Sequence, residues 1–187
     1  MKWIGERISF VDDQNKLTVV IHPEAKGWVK SLMGAWFAMW IMIGISLTVY
    51  YFTTPVDEDL EIALAVFMVF WAYYAVRVGR SLFWLLWGKE LIKIDEAAFV
   101  YKKSIRTYGK ANRYLLENIS KMRKHEVKEG SFQATWEASP WVKGGERLEF
   151  DYLGKTIRFG RKVSEKDGTL LFKLLTKRID QNIRKNK

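Results

Sequence analysis

Apolar positions are spaced in three different ways along the chain. In Arg7–Val11 and again in Lys16–Ile21, apolar and polar residues alternate around the polar segment Asp12-Asp13-Gln14-Asn15. Alternation at period two with β-branched residues predicts two strands joined as a hairpin. His22-Pro23 ends the second strand, because proline has no N–H to give a ladder. A lone hairpin is marginal in water. It is therefore expected to pack on the C-terminal domain.

The second pattern is continuous. No residue from Ser31 to Val56 is charged, and Ser31–Thr54 is 24 residues long. As a helix that is ~36 Å, enough to cross a hydrocarbon core of about 30 Å. Another apolar run covers Leu60–Val76 and continues past Arg77 and Arg80 through Ser81–Trp87. These runs predict two transmembrane helices, at about 31–54 and 60–87. The turn Thr53-Thr54-Pro55-Val56-Asp57-Glu58-Asp59 between them is short enough to force an antiparallel hairpin. A second helix reaching Trp87 exceeds a membrane's need, so its surplus tilts or emerges among the headgroups. Some thirty mostly polar residues precede the first run, which argues for a retained anchor rather than a cleaved signal peptide.

After Gly88 the period returns to two. Expected strands are Leu91–Asp95, Phe99–Thr107, Asn112–Leu116, Ile119–Glu126, Ser131–Glu137, Arg147–Tyr152 and Thr156–Phe159, the last two joined by a turn at Leu153-Gly154. Ala138–Glu146 reads as a loop carrying Trp141. A closing helix is expected over 164–184, with Ser164 as N-cap and Asp167 at the third helical position. Leu170, Leu171, Leu174, Leu175, Ile179 and Ile183 form its apolar arc. The expected fold is thus an α+β membrane protein. A two-helix transmembrane hairpin (28–87) follows an N-terminal β-hairpin (1–27). It leads into an antiparallel β-barrel or sandwich (88–187) capped by a C-terminal helix.

Charge sharpens this picture. The formal net charge is +10. Residues 1–30 carry 5 basic and 4 acidic side chains, residues 31–87 carry 2 and 4, and residues 88–187 carry 24 and 13. The excess belongs to the C-terminal domain, whose partners could be anionic lipid, acidic protein or nucleic acid. Lys26 and Lys30 precede the first helix, Arg77, Arg80 and Lys89 lie at the far end of the second, and the turn has no Lys or Arg. The positive-inside rule then puts both termini in the cytoplasm. The chain has no cysteine, which excludes disulfides and thiolate chemistry.

Three groups of residues are candidates for contacts. Arg77, Arg80, Trp84 and Trp87 fall within about 80° at the helical period, a basic-aromatic stripe at the inner interface. It reads either as snorkelling with an aromatic belt or as a lipid-headgroup or partner site. Lys166, Lys173, Lys177 and Arg184 share one face of the last helix within about 40°. That face is either simply solvated or meets anionic lipid or an acidic partner. Gly34 with Ala38, and Ala75 with Gly79, are small-xxx-small pairs suited to close helix–helix packing.

Several local features carry a family resemblance. Trp87-Gly88-Lys89-Glu90 enters the first strand, Tyr108-Gly109 sits at a strand turn, and Asn118-Ile119 precedes the strand from Ser120. Phe150-Asp151-Tyr152, Gly154-Lys155-Thr156 and Phe159-Gly160 form the last hairpin before the capped helix. Over roughly Ser81–Ile183 the chain resembles the bacterial membrane proteins that join two transmembrane helices to a pleckstrin-homology-like domain. The resemblance implies a non-enzymatic interaction or assembly role and transfers no ligand residues.

Catalytic signatures are missing. There is no phosphate-binding glycine loop, and His22 and His125 lie in no metal-spacing motif. Glu149 and Asp151 share a strand face but have no evident pocket. No acid lies at midplane of either helix, which argues against an ion pathway. The expected role is a non-enzymatic accessory or scaffold subunit of an inner-membrane complex, without cofactor or metal, making protein–protein contacts. The alternative is an anionic-lipid-binding sensor at the membrane surface. Expected partners are membrane lipids and other membrane subunits, with nucleic acid not expected.

Overall fold

The structure is a computed structural model and describes residues 1–13, 15–23, 27–125, 139 and 144–185. They form two compact units: Met1–Glu24 with Trp87–Lys187, and Ala25–Leu86.

The first unit is built on alternation. β1 (Lys2–Ile4), β2 (Ile8–Asp12) and β3 (Leu17–Ile21) form an antiparallel meander. β3 then pairs along β4 (Gly88–Ile94), with Ile21 opposite Glu90 and Leu17 opposite Ile94. β5 (Ala98–Ile105) and β6 (Ala111–Leu115) complete a six-stranded antiparallel sheet in the order β1-β2-β3-β4-β5-β6. A 3-10 turn at Leu116–Asn118 carries the chain into a second sheet of three strands. These are β7 (Ile119–Lys124), β8 (Glu146–Tyr152) and β9 (Lys155–Arg161). β1 is an addition to the predicted N-terminal hairpin; three residues are too few to show a period. The expected strand 131–137 and the loop residue Trp141 lie outside the described residues.

Inward residues of both sheets meet in one core. Ile8, Leu17, Val19, Ile92 and Ile94 come from the first sheet, and Leu148, Phe150 and Phe159 from the second. The Phe99 ring meets Phe150 edge-on at 5.1 Å, and Tyr114 meets Phe150 at 5.3 Å. The expectation of a barrel or sandwich needs correction in one respect, since the sheets do not close into a barrel. Among the described residues no ladder joins them, and side chains make the link instead. The Glu90 carboxylate of β4 is 1% exposed. It accepts hydrogen bonds from the backbone N–H of Gly160 (2.8 Å) and Arg161 (3.2 Å) in β9. Arg7, in the β1–β2 turn, donates to the carbonyls of Arg161 and Lys162.

α3 (Glu165–Lys185) covers this core. Ser164 Oγ accepts from the Asp167 N–H at 3.0 Å, capping the helix as its sequence predicts. Leu171, Leu175 and Ile179, spaced by four, are buried, whereas Leu170 is 44% exposed and falls outside the arc. Asn182 donates to the Asp95 carbonyl, and Arg178 reaches Asp12 at 3.5 Å, holding the C-terminal half of the helix on the sheet.

The second unit contains α1 (Gly27–Thr53) and α2 (Glu58–Trp87), whose last residue already belongs to the first unit. Both are long and apolar enough to cross a membrane. Asp57 accepts from the Leu60 N–H at 3.2 Å, and Glu58, Asp59 and Glu61 complement the positive end of the α2 dipole. Tyr51 donates to Glu61 at 2.8 Å, fastening α1 to α2 beside the turn. Met42, Val49, Phe52, Val69 and Phe70 are more than half exposed. Apolar surface on this scale is covered by lipid or by a partner in folded proteins.

Candidate functional site

The helical pair meets around tryptophan. Trp40 Nε1 donates to the Trp71 carbonyl at 3.1 Å, and Trp71 Nε1 donates to the Trp40 carbonyl at 2.7 Å. The Trp71 ring lies against Gly44 so closely that a Cβ there would come within 2.1 Å of Cε2. Trp36 stacks on Trp40 at 5.2 Å. Of the predicted small-residue pairs, only Gly79 makes a close approach, with Phe37 at 3.1 Å from where its Cβ would lie. Gly34 faces open space, Ala38 is exposed and Ala75 is half-buried. The small residues of α1 that were singled out are therefore displaced from the contact by about two turns, because a bulky indole needs the notch at Gly44. The sequence does carry a signal for this pairing. Trp40 lies 15 residues before Pro55 and Trp71 lies 15 after Val56, so an antiparallel hairpin places them side by side.

The basic-aromatic stripe of α2 has two parts. Arg77 and Arg80 are exposed. Arg77 Nη1 donates to the Tyr73 hydroxyl at 2.7 Å, and its guanidinium lies 5.9 Å from that ring. Trp84 is half-buried. Trp87 is met by Arg106, whose guanidinium stands 5.3 Å from the ring and whose N–H donates to the Trp87 carbonyl at 3.0 Å.

Lys166, Lys173, Lys177 and Arg184 are all exposed on α3, and among the described residues none of the four is ion-paired. Arg178, which the stripe omits, is the cation that the helix uses for its own docking. The four cations of the stripe are thus available to an anionic partner.

A charge network covers the outer face of the three-stranded sheet. Arg123 Nε donates to Glu149 at 2.6 Å, and its Nη1 donates to Asp151 at 3.0 Å. Arg158 Nε donates to the second Glu149 oxygen at 3.0 Å, and His125 Nδ1 lies 3.4 Å from it. Burial opposes ionisation of Glu149, but the Arg123 and Arg158 hydrogen bonds outweigh it and hold the carboxyl below its ordinary value. A hydrogen bond from Thr156 and another from Arg123 lower Asp151 in the same way. A general acid requires the opposite displacement. These paired carboxylates are arranged to stay charged and to fix β7 on β8.

The sequence shows no sign of the polar node beneath the sheet corner. The Tyr101 hydroxyl is enclosed beside the Glu90 carboxylate. Burial, then the neighbouring Glu90 charge, pushes its pKa far up. Glu146 sits close by and pairs with Lys103 at 3.0 Å. Burial raises its pKa, but the Lys103 charge and hydrogen bond bring it below the ordinary value. His22 stacks on Trp3 at 6.5 Å, remote in sequence from His125. Among the described residues no group of three metal-ligating side chains comes together.

The arrangement defines an α+β protein with two long apolar helices and a basic β unit. No family model matches the chain, and no curated protein is similar to it.

Proposed function

We propose that this protein is a non-enzymatic accessory or scaffold subunit of a bacterial inner-membrane complex. Its helical hairpin spans the membrane with both termini in the cytoplasm, and its basic PH-like domain offers contacts there. The observation that carries the reading is the broad exposed apolar surface of α1 and α2, which needs neighbours. Charge supports the orientation: Lys30, Arg77 and Arg80 flank one end of the pair, and Asp57, Glu58 and Asp59 the other. The PH-like reading is supported by strand count. β3 to β6 and β7 to β9 make a four-plus-three arrangement closed by α3, with β1 and β2 as additions and the helical hairpin inserted after β3.

Native mass spectrometry of the protein, extracted gently from its own membranes, tests this. A stoichiometric hetero-assembly is expected. A monomer or homo-oligomer retaining only anionic lipid would overturn the subunit reading. It would favour a surface lipid sensor, which the unpaired cations of α3 support.

A further inference from the structure

We propose that the β5–β6 tip, residues Ile105–Lys110, docks on the anionic phospholipid headgroups of the membrane that holds the hairpin. The proposal rests on the reading that α1 and α2 span that membrane. Strand register places the tip. Ile21 pairs with Glu90, and Gly88 pairs with Ile105. One end of the sheet therefore holds the last residue of β3, where the chain departs for α1. It also holds the first residue of β4, where the chain arrives from α2, and the root of the β5–β6 tip. Both covalent links to the apolar helices leave from the end where this tip projects.

The tip is also tied to the end of the apolar helix. Arg106 donates its N–H to the Trp87 carbonyl at 3.0 Å and lays its guanidinium 5.3 Å from the Trp87 ring. α2 has 30 residues. Its length of ~45 Å equals the ~40–45 Å of a hydrocarbon core plus both headgroup layers. Trp87 then falls at the headgroup boundary, where tryptophan is favoured.

The composition of the tip suits that depth. From Ala97 to Leu116 the chain carries Lys102, Lys103, Arg106, Lys110 and Arg113 and no acid. Lys103 is engaged by Glu146 and Lys102 by the Thr107 carbonyl, while Arg106 and Lys110 are exposed. Tyr108, at 83% exposed, is an aromatic side chain directed away from the core. The tip is preformed. Ile105 and Tyr108 exchange N–H···O bonds of 2.9 and 3.1 Å. Gly109, at φ 152°, has the Lys103 carbonyl 2.1 Å from where a Cβ would sit. A rigid basic turn tipped with tyrosine gives up little conformational freedom on docking, and each Lys or Arg near a charged surface favours the docked state about fivefold.

Because the chain has no cysteine, single cysteines can report depth in the full-length protein. Tyr108→Cys, Thr107→Cys, Val69→Cys in α2 and Leu153→Cys at the β8–β9 turn are each labelled with an environment-sensitive fluorophore. The proteins are reconstituted in nanodiscs of phosphatidylcholine alone or with added phosphatidylglycerol. Labels at 107 and 108 are expected to shift to the blue and to be quenched by headgroup nitroxides only when phosphatidylglycerol is present. Arg106→Gln with Lys110→Gln should lower the ratio of docked to undocked tip about twentyfold or more. The Leu153 label should stay in water in both lipids. Tip labels that ignore phosphatidylglycerol while the Val69 label reports hydrocarbon overturn the docking and leave the membrane reading standing. Tip labels shielded only by a co-extracted acidic protein overturn it in favour of that partner. A Val69 label in water overturns the membrane reading itself.

Discussion

Replacing Glu90 by alanine removes an acceptor pair that ties β9 to β4. The carboxylate is 1% exposed and receives the Gly160 N–H at 2.8 Å and the Arg161 N–H at 3.2 Å. Hydrogen bonds to a charged group contribute about 1.5–3 kcal/mol each, so the two supply roughly 3–6 kcal/mol. Removing the carboxylate also removes the cost of keeping it out of water, which leaves a net loss of about 2–4 kcal/mol. Glu90→Gln keeps one acceptor but turns an NH₂ toward a backbone donor, and about half of that loss is expected. The assay is urea unfolding of the detergent-solubilised protein, followed by the β-sheet circular dichroism signal. With a slope of about 1–3 kcal/mol per molar urea, the alanine midpoint should fall by about 1–2 M. Hydrogen exchange gives the local signature, as the Gly160 and Arg161 amides should lose protection ahead of the rest of β9. An alanine variant with the parent midpoint and parent protection at those two amides would refute the idea that this side chain joins the sheets.

Gly44→Ala should disrupt the helical pair, since its Cβ would lie 2.1 Å from Trp71 Cε2. On a Trp71→Ala background the same substitution should cost far less, and thermal unfolding of the four proteins of this cycle measures the coupling; equal costs on both backgrounds contradict the packing. The β unit should also keep its stability from pH 7 to about 5. Glu149 and Asp151 have lowered pKa values in the fold. Their contribution is complete above the ordinary carboxylate value of about 4 and is lost as pH falls through the lower folded values. Arg123→Met, which removes the donor shared by both acids, should bring the acid transition in at higher pH. Circular dichroism against pH reads this, and an unchanged onset would count against the network.

Some of this fold is a matter of local pattern. The two long apolar runs and the period-two segments show directly in residue order, because an α-helix and a strand repeat every 3.6 and 2 residues. The cap at Ser164 and the apolar spacing of Leu171, Leu175 and Ile179 are of the same local kind. Other features depend on residues far apart in the chain. Nothing near Ile21 specifies Glu90 as its partner across the intervening helices, since a ladder is chosen by which strands can bury their faces together. Glu90 itself looks like one more charged residue on a strand. Only when β9 crosses β4 does it become a buried acceptor for two backbone donors. The helix contact shows the same limit. The sequence offers several small residues at helical spacing, and the fold uses Gly44, because that notch lies where the Trp71 ring needs room. Residue order by itself determined the two long apolar helices, the closing helix, most of the strands and where charge collects. The tertiary structure decided which faces meet, because burial and hydrogen-bond satisfaction are settled between elements and not within them.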